Sequence, residues 1–186
     1  MTKVFSAYAT DGQLQRESSS GGMFTLLASH FIENGGIVFG ATFDNQFNVC
    51  HIGVSNVADL KTLRGSKYVQ SRLSNTFREI RALLANGTPV MFCGTPCQVK
   101  GLNAFIGKNL SGNLITVDFA CHGVPSPKVW DRYKGRDSLK DVSFRSKRYG
   151  WKTYSLLLNY NNNKQHSAVF THVRYMQTFL RYYSFR

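Results

Sequence analysis

The sequence has little cysteine, little acidic charge and no long apolar run. Four cysteines in 186 residues, two of them in one short turn, do not resemble the disulfide framework of a small secreted domain. Thiols that bind metal or take part in redox chemistry are the better explanation. No stretch of about 18 apolar residues occurs, and no apolar run follows a basic start at the N-terminus. These absences predict a cytoplasmic protein without a membrane span.

The length and the charge limit the domain count and the classes of ligand. A chain of 186 residues with 42% hydrophobic content predicts one domain over 1–186. The 23 Lys and Arg outnumber the 10 Asp and Glu, so the net charge of +13 should attract anions. The basic residues are scattered, and no helix-turn-helix, zinc-finger or RNP signature occurs. We therefore expect no sequence-specific nucleic-acid binding, and a phosphorylated cofactor would serve this charge equally well.

Hydrophobic periodicity predicts alternating strands and helices. The predicted strands are 4–9, 37–43, 48–54, 89–93 and 113–120. The predicted helices are 23–36, 56–63, 75–86, 97–106 and 126–133. One face of the first helix carries, at helical spacing, Met23, Leu26, Leu27, His30 and Phe31. From about residue 141 the pattern changes to antiparallel strands around the turn 161–163, followed by a helical stretch from 171 to the terminus. The predicted fold class is α/β: a mixed sheet with helices on both faces, plus a C-terminal antiparallel strand region.

Two cysteines occupy equivalent positions in this pattern. Cys97 and Cys121 each follow the carboxyl end of an apolar strand and precede or open a helix. If both strands are parallel in one sheet, the thiols lie on the edge where open α/β sheets bind ligands. Cys97 also lies at a helix N-terminus, which favours the thiolate form. An arbitrary cysteine is more often a small core residue, but two in matching turns bracketed by Gly or Pro favour function.

The other thiols allow a different interpretation. Cys93 and Cys97 are separated by three residues, which is not the C-x2-C spacing typical of zinc ribbons. With Cys121 and His122 they could form a Cys3His zinc set. We expect Cys93 and Cys50 to be packing residues, and a histidine in a turn such as His122 is more often structural. A non-enzymatic zinc-binding or nucleic-acid-binding module nevertheless stays an alternative.

Two short loops have the composition of anion-binding sites. The segment Ser18-Ser19-Ser20-Gly21-Gly22 precedes an apolar helix, so small residues, hydroxyls and the helix dipole could all favour an anion. In Arg64-Gly65-Ser66-Lys67-Tyr68, two cations flank a Gly-Ser pair that could form a backbone nest. Each loop alone is weak evidence, since a Ser-Gly cluster is more often a helix cap. Together they predict one cleft for a phosphate-bearing cofactor.

The segments SSSGGMFTLLA, GGIVFGATFD, LRGSKYVQS, FCGTPCQVKGL, LITVDFACHGVPSP and FRSKRYGWKTYS, in this order, resemble the coenzyme F420 hydrogenase/dehydrogenase beta-subunit family. The resemblance implies an oxidoreductase that exchanges hydride between FAD and a deazaflavin such as coenzyme F420, or a related acceptor. It implies 4Fe-4S clusters that pass electrons to or from the flavin, and a redox partner protein or ferredoxin-like module. The residues that it implies for the flavin site are Ser19, Ser20, Gly21, Gly22, Gly65, Ser66, Lys67 and Tyr68.

The resemblance also implies that Cys97 and Cys121 each give one thiolate to a cluster. Two thiolates are an incomplete ligand set, because relatives add a downstream C-x2-C that this sequence lacks. The N-terminal ferredoxin-like module of many relatives is likewise missing. We therefore expect a single flavin-binding core domain, truncated at its C-terminus, whose catalytic residues the sequence does not identify. The two sulfurs should lie about 4 to 7 Å apart if they share a cluster.

Overall fold

The computed structural model describes residues 3–135 and 137–181. Its strands are β1 (Ile37–Phe43), β2 (Val49–Val54), β3 (Val90–Gly94), β4 (Leu114–Asp118), β5 (Leu139–Ser146), β6 (Ser155–Tyr160) and β7 (Gln165–Val169). Its α-helices are α1 (Gly12–Glu17), α2 (Met23–Glu33), α3 (Leu60–Leu63), α4 (Thr76–Ala85), α5 (Pro96–Ile106), α6 (Pro127–Lys134) and α7 (Arg174–Arg181). Short 3-10 helices occur at Val57–Asp59, Lys108–Asn113 and Phe170–His172. The end of the predicted last helix lies outside the described residues.

The first sheet is mixed, as the sequence predicted. Its strand order is β2-β1-β3-β4, in which β1, β3 and β4 are parallel and β2 pairs antiparallel with β1 through a hairpin. The parallel strands therefore end at one edge of the sheet. Loops that follow these strands are brought together there, which is the usual position of ligand sites in open α/β sheets.

Alternation along the strands produces a core on each face of this sheet. Val38 packs in a cluster with the buried residues of α2 and α3, whereas the next residue, Phe39, packs with α4 and α5. Met91 and Phe92 of β3 divide in the same way. Successive strand side chains point to opposite faces, so a fully buried strand is apolar at consecutive positions. Helices on both faces, as predicted, are confirmed.

The second sheet is antiparallel, with strand order β5-β6-β7. It confirms the predicted C-terminal antiparallel region and covers a third core, which is built around Trp130 of α6 and Phe144 of β5. The indole N–H of Trp130 donates a hydrogen bond of 2.6 Å to the carbonyl oxygen of Phe47, in the β1–β2 hairpin. This core therefore joins the second sheet to the first.

The predicted strand at 4–9 is wrong. Residues 4–8 form no strand and are exposed, with Phe5 exposed by 81% of its surface. A strand needs a neighbour for its backbone groups, and this segment has one backbone bond of 2.6 Å, from Ala9 N–H to Gly21 O. The helix that follows, α1, begins at an Asp11 cap that the sequence analysis did not identify.

The buried residues of α2 coincide only in part with its apolar face, since Phe31 packs against the core. The buried residues are Thr25, Ala28 and Ile32, whereas Leu26 and Leu27 are exposed. The helix packs on β1 with Ala28 completely buried, and Phe24, Phe31 and Ile32 pack in the same cluster. Small residues allow the helix backbone to approach the sheet closely. This close approach, and not the largest apolar stripe, decided which face of α2 is buried.

Candidate functional site

A cleft of about 580 Å³ lies beside the carboxyl end of β1, between the two sheets. One side is formed by the end of α1, the serines that follow it and the segment around the end of α3. The other side is formed by residues 141–147 of β5 and its continuation. A cleft of this volume lies within the range of about 300–1,000 Å³ that is typical of small-molecule sites.

The two serine-glycine loops meet in this cleft. Helix α3 ends at Leu63, and Gly65 then adopts a left-handed conformation with φ of +83°, which glycine accepts without strain. This turn places the Ser66 N–H 2.7 Å from the Ser19 hydroxyl oxygen, which accepts its hydrogen bond. The Ser66 hydroxyl donates to the same oxygen at 3.0 Å. Ser19 therefore ties the first loop to the second.

Lys67 stabilises the turn after α3 that lines the cleft. Its ammonium donates to three carbonyl oxygens at the end of α3 and in the following turn, at 3.2, 2.7 and 3.2 Å. Burial lowers the pKa of Lys67 to about 8. The charge thus stabilises the exposed carbonyl end of α3 and adds positive potential to the cleft.

The predicted cofactor residues divide into two groups. Ser19, Gly65, Ser66 and Lys67 line the cleft. The other four are not in its lining. Ser20 is exposed, Gly21 packs on the N-terminal segment, and Gly22 begins α2 with φ of +83°. Tyr68 packs in the third core, where its carbonyl oxygen accepts a hydrogen bond from the Tyr175 hydroxyl.

Basic side chains dominate the lining of the cleft. They come from both of its sides and are Arg16, Lys61, Arg64, Lys67, Arg145 and Lys147. Two carboxylates, Glu17 and Asp141, accompany them, and Glu17 forms an ion pair with Arg64. No pattern in the sequence predicted a role for Arg145 or Lys147. Both belong to the segment FRSKRYGWKTYS, whose resemblance to the family was the one signal for them in the sequence.

Cys97 and Cys121 lie at the same edge of the first sheet. β3 and β4 are parallel neighbours whose last pair is Gly94 with Asp118, and each cysteine follows its member of that pair by three residues. Both cysteines are exposed. The Cys97 sulfur lies 3.1 Å from the Thr95 hydroxyl oxygen. The predicted separation of the two sulfurs stays a prediction.

The remaining thiols have the character of packing residues. Burial raises the pKa of Cys93 to about 11, and it also raises the pKa of Cys50. His51 stacks on Phe92 and has its ring Nε2 3.1 Å from the Cys93 carbonyl oxygen. This oxygen only accepts, so Nε2 carries the proton, and burial lowers the pKa of His51 to about 4. Residues 3–135 and 137–181 contain no group of three or more His, Cys, Asp or Glu arranged to hold a metal ion.

The fold and the cleft define an α/β protein with a basic cleft at the carboxyl edge of a mixed sheet. Comparison with family models gives the family. Residues 4–78 match the N-terminal model and residues 87–178 the C-terminal model of the coenzyme F420 hydrogenase/dehydrogenase beta subunit. The chain belongs to this family, whose members are oxidoreductase subunits with a role in electron transfer.

A solved structure shows the same fold. One chain in a xenon derivative of the F420-reducing NiFe hydrogenase complex from Methanosarcina barkeri matches with a TM-score of 0.59 and 18% identity. The match covers 88% of the present chain and 59% of that chain, so the present chain spans well under two thirds of that relative. A search of curated proteins found no match. No helix in the described part of the chain is long and apolar enough to cross a membrane.

Proposed function

We propose that this chain is the flavin-binding core of an oxidoreductase, and that FAD binds in the cleft between the two sheets. The observation that carries the proposal is the junction of the two serine-glycine loops through Ser19 and Ser66 at the carboxyl edge of the sheet. Both loops carry small or hydroxyl residues that allow a ligand to approach the backbone closely. FAD would supply reversible hydride and single-electron chemistry there.

The cleft has the positive charge and the hydrogen-bond donors that a dinucleotide requires. Its excess of basic side chains suits the two negative charges of a diphosphate. Two of its guanidinium groups, Arg64 and Arg145, have a buried Nε with no hydrogen-bond partner. A buried donor without a partner costs about 1–3 kcal/mol. A ligand oxygen that accepts a hydrogen bond from either group would recover this energy. The residues present therefore fit the cofactor.

The thiols fit only part of a 4Fe-4S cluster. We propose Cys97 and Cys121 as two ligands, because both are exposed at one sheet edge. The described residues provide no full ligand set, so the remaining ligands must come from elsewhere. Phe119 and Val124, on either side of Cys121, are exposed. Such an apolar surround suits a redox partner protein that completes the cluster.

The electron donor and acceptor are part of this proposal. The similar chain from Methanosarcina barkeri belongs to an F420-reducing hydrogenase complex. We propose a deazaflavin such as coenzyme F420, or another two-electron carrier, as the hydride partner of the flavin. The zinc-module alternative has no support in the described residues, where no potential metal site of three ligands occurs.

Titration of the purified chain with FAD tests the proposal. We expect flavin absorbance to accompany the protein through gel filtration, and FAD fluorescence to be quenched on binding. The Ser66→Ala variant should bind FAD more weakly than a Ser55→Ala variant, in which the exposed serine lies outside the cleft. A colourless protein that binds no FAD, and instead retains zinc or a defined DNA site, would refute the proposal.

The cluster part requires its own experiment. Iron and sulfide reconstitution of the isolated chain should give no stable 4Fe-4S spectrum. Addition of a partner segment that carries C-x2-C should restore one in the wild type, but not in Cys97→Ser or Cys121→Ser, while Cys50→Ser should behave as wild type. A full cluster in the isolated monomer, or restoration in both variants, would contradict this ligand assignment.

A further inference from the structure

The segment FRSKRYGWKTYS, residues 144–155, forms part of the second wall of the cleft. Residues 141–147 line it, and the pairing of β5 with β6 shifts register between Ser143 and Ser146. Phe144 is buried in the third core and also borders the cleft, and the next residue, Arg145, is half-buried in the cleft lining. A register shift of this kind re-aims side chains at the end of a strand. The end of β5 therefore contributes a guanidinium to the site.

Arg145 is held in place but has no counterion. Its guanidinium carbon lies 4.5 Å from the centre of the Tyr154 ring, which fixes the plane of the group by stacking. No ion pair within residues 3–135 and 137–181 includes Arg145. Its buried Nε has no hydrogen-bond partner. A positioned guanidinium with unused donors is suited to bind an anion.

The neighbouring cations are less available. The Lys147 ammonium donates to the Gln15 carbonyl oxygen at 2.6 Å and lies 3.9 Å from the centre of the Trp151 ring. The Lys67 ammonium is satisfied by three carbonyl oxygens. Arg64 shares the condition of Arg145, since its Nε is also buried and without a partner, although one Nη bonds to Glu17. The two arginines come from segments on different sides of the cleft.

We infer that Arg145, together with Arg64, binds the diphosphate of the flavin dinucleotide across the cleft. The inference rests on the proposed FAD site and adds a binding residue from the second sheet. Two planar guanidiniums can each form paired hydrogen bonds to phosphate oxygens, which a lysine at the same position cannot. FAD would thus link the two sheets, and riboflavin, which has no phosphate, would not use these contacts.

Three variants compared by calorimetric titration test this role. Arg145→Gln should weaken FAD binding by at least tenfold and riboflavin binding by less than twofold. Arg145→Lys keeps the charge but loses the paired N–H donors of the guanidinium. Its FAD affinity should therefore lie between those of the wild type and Arg145→Gln. Arg148→Gln is the matched control, because Arg148 is exposed, lies outside the cleft and bonds to Gln165. It removes the same charge three residues away and should change FAD binding by less than twofold.

Several results would overturn the inference. Equal losses in Arg145→Gln and Arg148→Gln would show a general effect of charge. Equal losses for FAD and riboflavin would show a structural role for Arg145, and circular dichroism of each variant separates unfolding from lost contacts. Inorganic pyrophosphate serves as a second probe. The wild type could bind no flavin but bind pyrophosphate in a manner that depends on Arg145. The proposed function would then be wrong, while the role of Arg145 in binding an anion would be supported. Pyrophosphate binding that Arg145→Gln leaves unchanged would overturn the anion-binding role of Arg145.

Discussion

Replacement of Ser19 by alanine should loosen the junction on which the cleft depends. The Ser19 oxygen accepts hydrogen bonds from both the N–H and the hydroxyl of Ser66. A hydrogen bond contributes about 0.5–1.5 kcal/mol net, and the half-buried Ser66 hydroxyl can turn to water. The free energy of unfolding should therefore fall by about 1–2 kcal/mol. Because the same junction preorganises the cleft, the affinity for FAD should fall by about 5- to 30-fold.

Urea unfolding followed by tryptophan fluorescence measures the first effect, and fluorescence titration with FAD measures the second. Ser20→Ala is the matched control, since Ser20 is the adjacent residue, is exposed and lies outside the cleft. Its unfolding free energy should stay within about 0.5 kcal/mol of the wild type. If Ser19→Ala and Ser20→Ala gave the same stability and the same affinity, the Ser19–Ser66 junction would not hold the two loops together, and this reasoning would be refuted.

Three further predictions follow from the titrating groups. The buried His51 has a pKa of about 4 in the folded protein, compared with an ordinary value of 6.5, so it resists protonation there. The free energy of unfolding, measured with urea, should therefore be highest above pH 6.5 and fall by about 3 kcal/mol towards pH 4. The His51→Gln variant should lack this loss. Below pH 8 the Lys67 ammonium is charged, so FAD affinity should decrease as pH rises above 8 and be flat in Lys67→Met; equal profiles would exclude its electrostatic role. In Ellman's assay, exposed Cys97 and Cys121 should react rapidly with the folded protein, while Cys93, with its pKa raised to about 11, should react only on unfolding; rapid reaction of Cys93 would contradict its burial.

Local patterns in the sequence were sufficient for most of the elements and for the order of the fold. The alternation of apolar strands with capped helices predicted β1, β3 and β4, because their helices end at glycines and the apolar runs of β1 and β3 are buried on both faces. It also predicted that Cys97 and Cys121 each follow an apolar strand, and the register of β3 and β4 shows that these two strands are parallel neighbours. The composition of the two loops indicated an anion site before any contact between them was known.

The tertiary structure decided which residues the cleft uses. Ser19 contacts Ser66 because the turn at Gly65 brings together two loops that are far apart in the sequence. No local sequence pattern predicts that these two residues are close in space. The exposure of Leu26 and the place of Arg145 likewise depend on packing: the first on how closely α2 approaches β1, the second on a register shift where β5 meets β6. Sequence periodicity fixes the elements because it reflects local backbone geometry. Contacts between distant elements depend on the shape of the whole core, which only the folded chain defines.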